Sequence, residues 1–221
     1  KEVTERGVMV KDGVVAAGDP IDVTVPTGNF GNILAAWYAK QIGVPIERLL
    51  CASNDNRVLT DFINTGTYDI SDREFILTSS PSMDILVSSN LERLLYLLSG
   101  DDKLIADLMK QLSENGEYEV PADMLEKLHE LFWAGFCDDE GAKTAIGKVW
   151  KDDHYLCDTH TAVAWDVAQQ YKQANHEHNA VVVLSTASPY KFPAAVLEGI
   201  GEKAEGDEFD VMEQLHKVTG V

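Results

Sequence analysis

The stretch Ile21-Asp22-Val23-Thr24-Val25-Pro26-Thr27-Gly28-Asn29-Phe30-Gly31-Asn32, with Ile33 to Lys40 after it, decides the fold. Residues 21 to 25 alternate apolar and polar as a strand does, and residues 33 to 40 have the composition of a helix. Between them two glycines stand three apart. A strand, a glycine-bearing turn and a helix start present unpaired backbone N–H groups and the positive end of a helix dipole to one point, which favours an anion. Without Cβ, glycine lets backbone approach a ligand closely. Gly28, Asn29, Phe30, Gly31 and Asn32 are therefore the candidate anion-binding residues. The string is neither G-x-x-x-x-G-K-[ST] nor G-x-G-x-x-G. On spacing alone, an ordinary strand-to-helix turn and an anion site are equally good readings.

The rest of the chain points to small-molecule chemistry. Its 221 residues suffice for one large domain. Acidic residues number 37 against 18 basic ones, a formal net charge of −19, which repels nucleic acid and anionic membrane. No run approaches the roughly 18 apolar residues a bilayer span needs, and Lys1-Glu2-Val3-Thr4-Glu5 has no signal-peptide core, so a cytoplasmic protein is expected. Cys51, Cys137 and Cys157 stand at unrelated spacings that suggest neither a disulfide framework nor zinc. They read as reduced and structural, and no metal site is expected. With no starting methionine and a first element that already feeds a ligand loop, the chain reads as a piece of something longer.

In order, residues 1–18 predict a short hairpin or an irregular lead-in. Residues 48–53 predict a second strand, Asn54 to Asn56 the cap of a short helix ended by Gly66, and residues 75–78 a weaker third strand. Strand and helix in alternation imply a parallel sheet. A helix is expected over 85–98, with Ile85, Leu91, Leu94, Leu95 and Leu98 on one face and Gly100 at its end. Residues 101–150 read as an all-helical insertion, with Asp101 and Asp102 at a helix start and Pro121 in a first turn. Cys157 and His160 are too few for a metal site. Asp158 or Thr159 as a helix cap fits better, and His176 and His178 suit a solvated turn. The unbroken run Ala180 to Ser185 predicts a central parallel strand buried on both faces. Ligands in such sheets bind beyond the carboxyl ends of strands, so the segment after it and the glycine loop are expected to face one crevice. Short helices follow over 193–200 and near 211–218. One α/β domain over 1–221 is expected.

Four segments resemble threonine synthase in the same order. Thr27-Gly28-Asn29-Phe30-Gly31-Asn32 resembles its cofactor-phosphate loop, and Ser80-Pro81-Ser82-Met83-Asp84-Ile85 with Ser88-Ser89-Asn90-Leu91-Glu92-Arg93 resembles its next signature. Asp158-Thr159-His160-Thr161-Ala162 is similar to its Asp-Pro-His-Thr-Ala, and residues 185–192 to its Ser-Thr-Ala-His-Pro-x-Lys-Phe. Thr159 stands where the family often has proline and Ser188 where it often has histidine. The resemblance implies the parallel-sheet, tryptophan synthase β-like type II fold of pyridoxal 5'-phosphate enzymes. It implies a full enzyme converting O-phospho-L-homoserine and water to L-threonine and phosphate. It also implies cofactor contacts at Gly28 to Asn32, Thr186 as the partner of the ring nitrogen, and Lys191 near a phosphate such as the substrate's. The family's Schiff-base lysine lies in an upstream segment that is not in this sequence. The chain therefore reads as the C-terminal part of such an enzyme, inactive alone and completed by the missing N-terminal part. A noncatalytic ligand-binding or regulatory domain on the same fold is the alternative.

Overall fold

The computed structural model describes Met9 and residues 11–176 and 178–221. The lead-in expected over 1–18 lies in good part outside them. β1 (Ile21–Pro26) is buried along its whole length, Asp22 and Thr24 included. After the glycine loop, α1 (Gly31–Gln41) turns Ile33, Leu34, Ala36, Trp37 and Ala39 inward. β2 (Ile46–Ser53) and α2 (Val58–Thr65) follow, and Gly66 at φ 81° ends the helix as glycine can. β3 (Thr67–Asp69) and a long irregular segment lead to α3 (Leu91–Ser99). Next come α4 (Asp102–Asn115), capped by Asp101, then β4 (Glu117–Glu119) and α5 (Ala122–Leu131). β5 (Phe132–Phe136), α6 (Asp139–Asp153) and α7 (Thr159–Ala174) precede β6 (Ala180–Val183). α8 (Pro193–Gly199) and α9 (Glu208–Thr219) end the chain.

Among the described residues, four strands form a parallel sheet in the order β5-β2-β1-β6, and β3 pairs antiparallel with β4 as a separate ribbon. Two core clusters lie on the two faces of the sheet. The larger gathers apolar side chains of α1 to α5 with Ile21, Val23, Val25, Leu49 and Cys51; the other gathers those of α6 to α9 with Ala52. In the larger, Phe62 lies edge-on to Tyr68 and Tyr118, which stack on each other at 5.2 Å. This ties the small ribbon to the sheet domain.

Five expectations need correcting. Residues 101–150 are not all helical, since β4 and β5 lie within them and β5 joins the main sheet beside β2. Phe132 and Trp133 extend the apolar stripe of α5 in sequence, but as aromatics they also suit a pleated surface. Residues 75–78 form no strand. Their Phe75, Ile76 and Leu77 are exposed, and the segment is held by side chains, Asn56 exchanging two hydrogen bonds with the Ile76 backbone at 2.8 and 3.0 Å. Asn54 and Asn56 are thus engaged elsewhere, and α2 starts without a side-chain cap. Residues 85–90 precede α3 instead of forming its first turns, because Tyr68 binds the Leu86 carbonyl and the Ser88 amide there. Finally, among the described residues β6 is an edge strand and half-buried, not central.

Asp158 is fully buried and caps α7, accepting from the backbone amides of His160 and Thr161, from His160 Nδ1 and from the Thr161 hydroxyl. Burial pushes its carboxyl up, but these hydrogen bonds together outweigh burial and hold it below the ordinary carboxylate value. A folded-state pKa below the unfolded one adds stability above about pH 4 that is lost as pH falls through the folded value. Asp158→Ala should therefore cost roughly 2 kcal/mol at pH 7. The gap from wild type should shrink below about pH 4 in urea titrations at a series of pH values. Phe62→Ala should cost about 3 to 5 kcal/mol at any pH, since it empties the centre of the aromatic cluster.

Candidate functional site

β1 and β6 are neighbours in parallel register, Thr24 opposite Val183, and the Leu184 amide donates to Thr24 O at 3.0 Å. The loop after β1 and the segment after β6 therefore emerge side by side at the carboxyl end of the sheet. They open on a cleft of about 300 Å³ lined by residues 25–33, Ser82, Met83, His160, Thr186, Ala187 and Lys191. The candidate residues Gly28 to Asn32, Thr186 and Lys191 thus share one cleft. Ser82, Met83 and His160 also line it, although sequence reasoning gave them no part. Their position in the resembling segments was the available signal.

The loop is held with its donors free. Thr27 N–H donates to Ala52 O at 2.8 Å and its hydroxyl to Val25 O at 2.7 Å, which fixes the strand end. Phe30 adopts the left-handed region, φ 60° and ψ 8°, and no side chain caps α1. That conformation costs a bulky residue about 1 to 3 kcal/mol. Burial of its ring, packed against Phe132 at 5.8 Å, opposes the cost. Among the described residues, the backbone amides of 28–33 have no protein acceptor, the first helical bond being Leu34 N–H to Phe30 O. A Cβ on Gly28 would stand 2.6 Å from Ser82 O and 3.2 Å from Met83 Cα. Glycine is required there by close approach.

The opposite wall is anchored by side chains. Asp84 accepts from Asn54, Asn56 and Thr78 at 2.7 to 3.0 Å. Asp139 accepts from the Ser79 amide and hydroxyl, and Thr159 donates to Ser79 O. Ser82 N–H donates to His160 Nε2 at 3.2 Å, while His160 Nδ1 lies 3.2 Å from Asp158 Oδ1. A neutral imidazole with its proton on Nδ1 satisfies both bonds. Its ring lies against Phe192 at 4.9 Å.

Thr186 is exposed just beyond β6, its hydroxyl without a protein partner among the described residues. Lys191 closes the turn Pro189–Lys191, its ammonium 5.9 Å from the centre of the Phe192 ring. The three thiols are buried and free. Burial pushes Cys51 and Cys157 up to about 12 and raises Cys137 as well, so none is a thiolate near neutral pH. No group of three potential metal ligands occurs among the described residues, and none of their helices is long and apolar enough to cross a membrane.

Residues 161–220 match the family model described as threonine synthase, C-terminal. Threonine synthase-like 1 of Macaca fascicularis is 44% identical over 193 residues, covering 87% of this chain and 26% of that protein. Threonine synthase of Saccharomyces cerevisiae is 36% identical, covering 90% of this chain and 42% of that protein. In three dimensions, pyridoxal-phosphate-bound threonine synthase from Brucella melitensis superimposes with a TM-score of 0.80 at 36% identity, over 91% of this chain and 43% of that one. The chain therefore spans about a quarter to two-fifths of these relatives. In sequence and in parallel-sheet fold alike, it belongs to the threonine synthase family and corresponds to that family's C-terminal part.

Proposed function

We propose that this chain supplies the phosphate-holding half of a threonine synthase active site, in an enzyme that turns O-phospho-L-homoserine and water into L-threonine and phosphate. The observation that carries the reading is the row of open amides at 28–33, in a cleft shared with an unpartnered Thr186 hydroxyl and the Lys191 ammonium. These groups fit pyridoxal 5'-phosphate: amides at a helix start suit its phosphate, and a hydroxyl suits its ring nitrogen. When bound, that cofactor supplies the electron sink for a carbon–oxygen lyase acting on a phosphate ester. A neutral hydroxyl at Thr186 leaves the ring nitrogen unprotonated more readily than a carboxylate would. Lys191, the one Lys or Arg side chain lining the cleft among the described residues, suits the substrate's phosphate. The cofactor's lysine and the remaining walls would come from the N-terminal part of the same enzyme. The open edge of β6 offers backbone donors and acceptors to further strands from that part.

Titration with inorganic phosphate, pyridoxal phosphate and pyridoxal tests the reading directly. Amide shifts at residues 28–33 should respond to the first two and not to pyridoxal, and Gly28→Ala should weaken phosphate binding about tenfold or more. An unresponsive loop would sink the proposal. The chain alone, given pyridoxal phosphate and O-phospho-L-homoserine, should release no threonine, because half a site forfeits the orientation that catalysis needs. Turnover by the isolated chain would contradict the division of the site. In the full-length enzyme, Thr186→Val should lower kcat about tenfold or more while leaving phosphate binding intact. Unchanged turnover would remove Thr186 from its role.

A further inference from the structure

We infer that Ser88 and Asn90, which do not line the cleft, are positioning residues that aim the loop's amides into it. The inference rests on the reading of 28–33 as an anion loop. Ser88 Oγ donates to Gly28 O at 3.0 Å, and Asn90 Nδ2 donates to Asn29 O at 2.7 Å. A trans peptide unit is planar, so its carbonyl and the next residue's N–H point in opposite directions. No cis bond occurs among the described residues. Drawing the Gly28 and Asn29 carbonyls to one side therefore turns the Asn29 and Phe30 N–H groups to the other. Both residues line the cleft.

Neither donor is free to wander. Ser88 is buried, and its own amide donates to the Tyr68 hydroxyl at 2.9 Å, which in turn donates to Leu86 O at 2.6 Å. Tyr68 belongs to the stacked aromatic cluster, so the orientation of the loop is referred back to the core. Asn90 immediately precedes α3, which fixes its backbone. The cleft side needs this external hold because the amides make no protein bond of their own, and an unrestrained glycine loop would populate both peptide orientations.

The test uses the wild-type chain with Ser88→Ala, Asn90→Asp, their combination and Ser88→Thr. Asn90→Asp keeps the shape but replaces a donor with an oxygen that repels the Asn29 carbonyl. Backbone order parameters at Asn29 and Phe30 should fall from about 0.85 to below about 0.6 in the combined variant. Its phosphate dissociation constant should rise about tenfold. Ser88→Thr, which keeps the hydroxyl, should stay near wild type in both readouts. Thermal midpoints within a few degrees of wild type would show that the change is local. Unchanged order at Asn29 and Phe30, or unchanged phosphate affinity in the combined variant of a wild type that binds phosphate, would overturn the inference. A wild-type loop that ignores phosphate overturns the anion reading instead, and the order parameters alone then decide whether the two side chains hold the loop.

Discussion

The cleft depends on one buried ring. Phe30 sits at a left-handed backbone position that disfavours a bulky residue, and it stays there because its side chain is almost wholly buried against Phe132. The amides of 31–33 lack acceptors because they begin α1, as at any helix start, while the left-handed turn at Phe30 sets the direction in which the loop before it presents its own. Packing energy from the core thus maintains a row of open donors at the surface. The same core cluster contains Tyr68, whose hydroxyl fixes residues 86–88 and through Ser88 the Gly28 carbonyl.

Four segments far apart in the chain meet around this point. The loop follows β1, Thr186 and Lys191 follow the adjacent β6, and Ser82 reaches the cleft from the short 3-10 turn Pro81–Met83, which is tied to His160 at the start of α7. That geometry gives a physical reason for their appearing together in sequence. Gly28 has no room for a Cβ beside Ser82, and Ser82 keeps its place through a histidine whose tautomer a buried carboxylate fixes. A change in one segment is felt in the next.

Local chemistry was legible and topology less so. Residues 21–25 declared a strand by alternation, Gly66 and Gly100 ended helices in the left-handed region, and Asp101 and Asp158 capped them, since each signal acts over a few residues. The wall at 75–90 was not legible. It is held by Asn54, Asn56, Tyr68 and Asp139, whose long-range hydrogen bonds leave no periodicity. β5 was hidden because Phe132 continues the helical stripe of α5, although an extended conformation at Phe132 ends that helix. The run at 180–185 was misplaced for another reason. Its composition suits burial on both faces, yet among the described residues β6 has a neighbour on one side only and its residues are half-buried.

Charge bears on the form of the proposed anion site. With a formal net charge of −19, the molecule as a whole repels anions, but beyond roughly 8 to 10 Å salt screens much of that field. Attraction must therefore come from donors at contact distance. A cluster of lysines would serve poorly in a chain with 37 carboxylates, because flexible ammonium groups find internal partners, as Lys143 does with Glu140 and Glu198. Backbone amides cannot swing toward a carboxylate. Their direction is set by Phe30 and by bonds to the neighbouring carbonyls, and they carry no net charge to be neutralised. In a strongly acidic protein, the proposed site of fixed amides with Lys191 beside it would keep its donors available to an anion, since no Asp or Glu among the described residues lines the cleft.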